Sequence, residues 1–164
     1  MSAILKPKYT AAGKAITFTS LATLASSATA GAESLVVDNT SDLYTQVTVH
    51  VLLTPADTGA TADQMCVYFW AYEAILDDGT PSELYPDQVT GADAAITAIN
   101  AGALKYLGAT DPLVRNTAYK RTFDLSSAFG GRIPRKWGLV ARNYAGIAMA
   151  SQVIHYQGSN MEIV

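Results

Sequence analysis

The side chains of this 164-residue chain that could do chemistry are two histidines, one cysteine, five acids between positions 77 and 93, and a knot of cations around Trp137. Metal or acid–base chemistry needs several suitable groups brought together. His50 lies between Val49 and Val51, and His155 between Ile154 and Tyr156, so each sits in a strand-like run and reads as a solvent-face or hydrogen-bonded structural histidine. No G-x-S-x-G turn nominates a serine for a Ser/His/Asp triad, and no Lys-Ser/Thr follows Gly130-Gly131 to complete a phosphate loop. Asp77, Asp78, Glu83, Asp87 and Asp93 offer oxygen ligands but lack the order of a calcium loop, and read as solvated loop. Cys66, flanked by Met65 and Val67, reads as a small core side chain. Being single, it excludes an internal disulfide and a Cys-cluster metal site. The expectation is a protein without catalytic residues, cofactor or metal.

The cations are Arg132, Arg135, Lys136 and Arg142, in and just before "IPRKWGLVARNYAG" (133–146). Strand alternation places Trp137, Leu139 and Ala141 on one face and Lys136, Gly138, Val140 and Arg142 on the other. Two readings stand side by side. One is a strand edge blunted by charge against unwanted pairing. The other is a contact surface for an acidic protein partner, because arginine beside an aromatic is the usual composition of an interface anchor.

The elements that must position these groups are strands. Hydrophobic residues make up 49% of the chain and charged residues 15%, low against the roughly 25% usual for soluble domains, so much of the surface is small and uncharged or is covered by a partner. The net charge of −3 gives no footprint for nucleic acid. Period-two alternation dominates. "LYTQVTVHV" (43–51) reads as a half-buried strand, and "QMCVYFWAYEAI" (64–75), apolar on both faces, as a central strand covered on both sides. Further strands are expected over 15–24, 33–38, 104–109, 117–125, 136–143 and 147–157. Eight strands separated by turn compositions such as "DNTSD", "PADTGATAD" and "DDGTPS" predict two packed antiparallel sheets, an all-β sandwich over residues 15–164. Residues 92–101 allow at most one short helix, with Asp93 as its N-cap. "MSAILKPKYTAAGK" (1–14) has no clear period and reads as an extended arm that orders against a neighbour, with Lys6, Lys8 and Tyr9 as its contact residues. Ala28-Thr29-Ala30 imitates a signal-peptidase site, but Thr17, Thr19, Ser20 and Thr23 interrupt the apolar segment before it, so it reads as part of the fold. No run reaches the roughly eighteen apolar residues of a membrane span.

Three stretches, "ITFTSLATLASSATAGAESLVVDNTSDLYTQVTVHV", "AFGGRIPRKWGLVARNYAGIAM" and "VIHYQGSNMEIV", together resemble a family of small tailed-bacteriophage virion proteins. The shared features are a strand with "SLA", the spacer "SATAG-E", "VDNT" leading into a strand, and "AFGG-(I/L)P-KWG" followed by an Asn-aromatic turn. At that turn, Ala145 stands where the resemblance leads one to expect threonine, a departure that bears on one local hydrogen bond and leaves the fold expectation intact. Residues 55–110 match only loosely. The resemblance implies a β-sandwich or jelly-roll-like subunit that decorates the capsid as a cement protein. Its partners would be the major capsid protein or other virion proteins, together with copies of itself as a homo-oligomer. Its contact residues would be Lys6, Lys8, Tyr9, Arg132, Arg135, Lys136, Arg142 and Tyr144, and its place the outer surface of the virion. The alternatives are a tail, baseplate or fibre-attachment component, and a carbohydrate-binding sandwich with Trp70, Tyr72 or Tyr85 stacking on sugar rings.

Overall fold

The computed structural model describes residues 5–10, 12–22, 24–57, 66–75, 84–111 and 113–163. Among them, two antiparallel sheets pack face to face as a β-sandwich. The first sheet runs β1 (Leu5–Tyr9), β11 (Met149–Ile163), β5 (Gln46–Pro55) and β9 (Tyr119–Asp124), with β2 (Lys14–Ala15) also on β11. The second runs β7 (Ala94–Ile96), β3 (Gly31–Glu33), β10 (Lys136–Asn143), β6 (Val67–Glu73) and β8 (Lys105–Ala109), with β4 (Val37–Asp38) also on β10.

The alternation in each strand sets what faces what. Val47, Val49, Val51 and Leu53 of β5 point into the sandwich and meet Val67, Phe69 and Ala71 of β6 and Trp137, Leu139 and Ala141 of β10 in one buried core. The opposite sides of β6 and β10 carry Trp70, Tyr72 and Val140, which are also buried, because Val89, Ile96 and Leu104 from the segment 84–104 cover them as a second, smaller core. Gly138 makes this layer possible. A Cβ on it would lie 2.3 Å from the ring carbon Cζ of Tyr72, its register partner. Without that Cβ, Tyr72 lies flat across β10 and its hydroxyl donates to the Ser34 carbonyl at 2.9 Å.

Several boundaries differ from the sequence reading, each for a local reason. β5 begins at Gln46 rather than Leu43, since the side chain of Asn39 binds both the N–H (2.9 Å) and the carbonyl (3.1 Å) of Tyr44 and holds Leu43 in a turn at φ 51°. Of the expected strand 15–24, only Ala15 lies in β2, and Ile16 adds one more bond to the sheet, from its N–H to the Ile154 carbonyl at 2.9 Å. The chain then leaves the sheet, burying Ile16 and Phe18 before a 3-10 turn at Thr19–Leu21. β11 runs on to Ile163 because β1 pairs with it from Ser159 onward. The segment 1–14 is thus represented by a strand of its own sheet at Leu5–Tyr9 and by Lys14.

The helix lies elsewhere than expected. Residues 92–101 hold the short strand β7, and the one α-helix among the described residues is α1 (Leu125–Ala128). Asp124 caps α1 by accepting from the N–H groups of Ser126 (3.0 Å) and Ser127 (3.3 Å). Asp93 is a cap as its type suggests, but of a different segment. Its carboxylate accepts from the N–H groups of Thr19 (2.7 Å) and Ser20 (3.0 Å) and from both hydroxyls, across 74 and 73 residues of chain. The turn points around residues 58–63 and 77–82 lie outside the described residues.

Candidate contact surface

β10 is the middle strand of the second sheet, paired with β3 and β4 on one side and β6 on the other, so its cations do not blunt an edge. Nor do they form one patch. Lys136 and Arg142 stand at opposite ends of the strand, about 20 Å apart at about 3.3 Å per residue.

Near the start of β10, acids answer the charges. Arg132 pairs with Glu73 at 3.2 Å. Lys136 is the register partner of Asp38, and the backbone carbonyl of Arg135 accepts from Asn39 at 2.7 Å. Hydrogen bonds from Thr40 hold the Asp38 carboxyl below its ordinary range, and the charges of Lys136 and Arg135 add to this. Lys6, Lys8 and Tyr9 belong to the first sheet, in the ribbon that β1 forms with the end of β11. There Lys8 pairs with Glu162 at 3.0 Å, and Tyr9 is 64% exposed. A groove of about 450 Å³ separates Lys8, Tyr9 and Thr10 from Ser41, Asp42, Tyr44 and Asn160. Beside it the Asp42 carboxylate binds Lys14 at 2.5 Å and pushes that ammonium up to about 12.

Arg142 is in a different situation. Its guanidinium carbon lies 4.9 Å from the ring centre of Tyr144, 5.2 Å from that of Trp70 and 5.9 Å from that of Tyr68. The rings touch one another: Tyr68 meets Tyr144 edge-on at 5.6 Å, and Tyr106 lies 5.8 Å from Trp70 and 6.5 Å from Tyr68. One Nη donates to the Ala28 carbonyl at 3.1 Å, to which the Tyr144 hydroxyl also donates, while Nε is buried without a hydrogen-bond partner. Among the described residues no carboxylate pairs with Arg142. Ring faces attract a cation, and more so where water is excluded, but they do not cancel its charge. Tyr106 is 56% exposed and Tyr68 and Tyr144 are half-buried, so the cluster opens to solvent as a cationic, aromatic surface. Sequence reasoning found Arg142 and Tyr144 but missed Tyr68 and Tyr106. The outward alternation of Tyr68, Trp70 and Tyr72 in β6 was the available signal for the first; nothing in the sequence announced that β8 would bring Tyr106 beside it.

Trp70 and Tyr72 are 5% and 1% exposed, and Tyr85 packs edge-on against Tyr72 at 5.8 Å, so two of the three aromatics considered for sugar stacking are buried and the third leans on one of them. Cys66 is buried and free. His50 and His155 are exposed on the outer face of the first sheet. Asp87 is exposed, Asp93 is the cap described above, and Asp77, Asp78 and Glu83 lie outside the described residues. Among the described residues no three or more His, Cys, Asp or Glu side chains gather as a metal centre.

The asparagine turn after β10 positions Tyr144. Asn143 is fully buried, donates to the carbonyls of Leu24 (2.9 Å) and Ile147 (2.7 Å), and accepts from the N–H of Ala145 at 2.8 Å. The turn closes with Gly146 N–H donating to the Ser26 hydroxyl at 3.1 Å. The buried Glu33, also missed as a key residue, accepts from Thr90 N–H (3.0 Å), Thr90 Oγ1 (2.8 Å) and Gly91 N–H (3.0 Å), and so ties the covering segment to β3. No protein-family model and no curated protein matches the chain.

Proposed function

We propose that this chain is a non-enzymatic structural protein of a tailed-phage virion, binding the outer surface of the capsid as a decoration protein and reinforcing contacts between shell subunits. The resemblance of its three stretches to such proteins supports the reading. Their hallmark residues work as architecture here: Asn39 of "VDNT" holds the loop before β10, Gly138 of "KWG" admits Tyr72, and Glu33 anchors the covering segment. The observation that carries the reading is Arg142, a guanidinium bedded in aromatic rings without a carboxylate partner among the described residues. Such a group is suited to an acidic side chain of a neighbouring subunit, and repeated copies on a shell multiply weak contacts of this kind. The ribbon of β1 and β11, with Leu5, Tyr9 and Met161 exposed, supplies a second contact.

Particles lacking the protein, mixed with purified chain and sedimented, test this. Saturation at a copy number matching the shell subunits is expected. Arg142→Gln should weaken binding about 30-fold, the loss of about 2 kcal/mol typical of an interface anchor. Deletion of residues 1–14 should abolish binding while the sandwich persists, since β11 keeps its pairing with β5 from Met149 to Ser159. Unchanged binding by both variants would overturn the contact assignment. Saturation at the few copies of a tail ring would move the protein to the tail.

A further inference from the structure

His50 and His155 lie far apart in the sequence but are Cα partners across β5 and β11. Directly opposed residues on antiparallel strands hold their Cβ atoms about 4.5–5.5 Å apart, so the two imidazoles rise side by side from the outer face of the first sheet. Both are exposed, and both line a single depression of about 240 Å³ together with Leu52, Lys120, Thr122 and Val153. His50 Nδ1 lies 3.2 Å from Thr122 Oγ1. When Nδ1 carries the proton and donates it to that hydroxyl oxygen, the Nε2 lone pair is left open, which is the tautomer a metal ion requires. At His155, Gly13 leaves the flank of the ring clear: a Cβ there would sit 3.3 Å from His155 Cβ.

We propose that His50 and His155 form a two-imidazole site for a divalent transition-metal ion, Zn²⁺, Ni²⁺ or Cu²⁺, with water in the remaining positions. Imidazole suits these ions, whereas magnesium and calcium demand a set of oxygen ligands that the described residues of this face do not gather. The surrounding charges set the strength. Lys120 of β9, the register partner of Leu52, stands diagonal to His50 and opposes a cation. Asp124, partner of Thr48 on the other diagonal, favours one, but its Oδ1 accepts from the N–H groups of Ser126 and Ser127 and its Oδ2 from the Ser127 hydroxyl. From β11, Gln157 and Val153 add no charge. Arg121 also lines the depression, with its guanidinium held by Asp111 at 2.8 Å. Two protein ligands beside a lysine make an exchangeable site, unlike the four-ligand closure of a structural zinc. The site does not depend on the shell-binding reading above.

The test uses the full, tag-free chain titrated with ZnCl₂ or NiCl₂, followed by calorimetry and by the histidine ring signals in NMR spectra. Saturation at one ion per chain is expected, with the ring signals of both histidines moving together. His50→Gln and His155→Gln should each weaken binding by at least about 10-fold, and the double variant should show no saturable uptake. Because both side chains are exposed, the variants should melt as the parent does without metal and lose only the rise in Tm that the ion confers. Uptake by the double variant equal to that of the parent, movement of only one histidine's signals, or no saturable uptake by the parent would each overturn the proposal.

Discussion

The two sheets share one core but treat their outer faces in opposite ways. On the first sheet, His50, Lys120, Thr122, Val153 and His155 are exposed, with none of the described residues laid over them. On the second, Trp70, Tyr72 and Val140 occupy equivalent outward positions and are buried under the segment 84–104. The strands announce the difference. β5 alternates strictly, with polar or partly exposed residues outward, while β6 is apolar on both sides. A sheet face with large apolar side chains must find a cover, and here the chain supplies its own. The cover stops short of Tyr106 and Arg142, and that uncovered margin is the candidate contact surface.

Two truncations at matched outward positions separate the covered face from the open one. Trp70→Ala removes a ring that is 5% exposed, and is expected to destabilise the fold by about 4 kcal/mol through lost burial and the cavity left behind. Val153→Ala, at a residue 47% exposed, should change stability by less than about 0.5 kcal/mol. Urea denaturation of the two variants and the parent measures both. Similar losses would mean that the first sheet's outer face is also covered in solution, as it would be by a second copy of the chain.

Next in size is the polar tether of the cover. Glu33→Ala removes a buried carboxylate and strands the N–H groups of Thr90 and Gly91, with an expected cost of about 3 kcal/mol. If the cover is held chiefly by its apolar contacts instead, the cost falls below about 1 kcal/mol, and hydrogen exchange across residues 84–104 stays as slow as in the parent.

The contrast also sorts what could be read from the sequence. Alternation sufficed for β5, β6, β9 and β10, because the side chains that fill the core recur every second residue whatever their partners are. It failed where a partner is remote. β11 extends to Ile163 only because Leu5–Tyr9 pairs with it, and Ala94–Ile96 within 92–101 is drawn into a strand by Gly31–Glu33, with Ile96 opposite Gly31. Arg142 and Tyr144 were legible as contact residues, but the aromatic first set beside the cations, Trp137, is buried in the core, and Trp70 entered only as a ring for sugar stacking. The lack of a carboxylate partner for Arg142 among the described residues was not legible, since that depends on where Glu73, Asp38 and Glu162 fall, and they fall elsewhere: Glu73 and Glu162 on Arg132 and Lys8, Asp38 opposite Lys136. The basic run looked like one patch because a strand's two ends are adjacent in sequence and about 20 Å apart in space.

A return clasp runs from the cover to the core. While Glu33 reaches out to Thr90 and Gly91, Asp93 reaches back from the cover to Thr19 and Ser20. Burial works against the charged form of Asp93, but the hydrogen bonds from Ser20 and Thr19 outweigh it and hold the carboxyl below its ordinary value of 3.8. A carboxyl with a depressed folded-state value stabilises the fold fully above the ordinary value and loses that contribution as the pH falls through the depressed one. Asp93→Asn should therefore cost about 1 kcal/mol near neutral pH, the scale of a lost cap. The gap between variant and parent should close in acid, below the ordinary carboxylate range. Asp124 and Asp38, both held low by hydrogen bonds to Ser127 and Thr40 respectively, still titrate in both proteins and so cancel in the difference. A gap that stays constant from neutral pH into acid would mean that the Asp93 clasp acts by shape and not by charge, and that the cover rests on Glu33 and its apolar contacts alone.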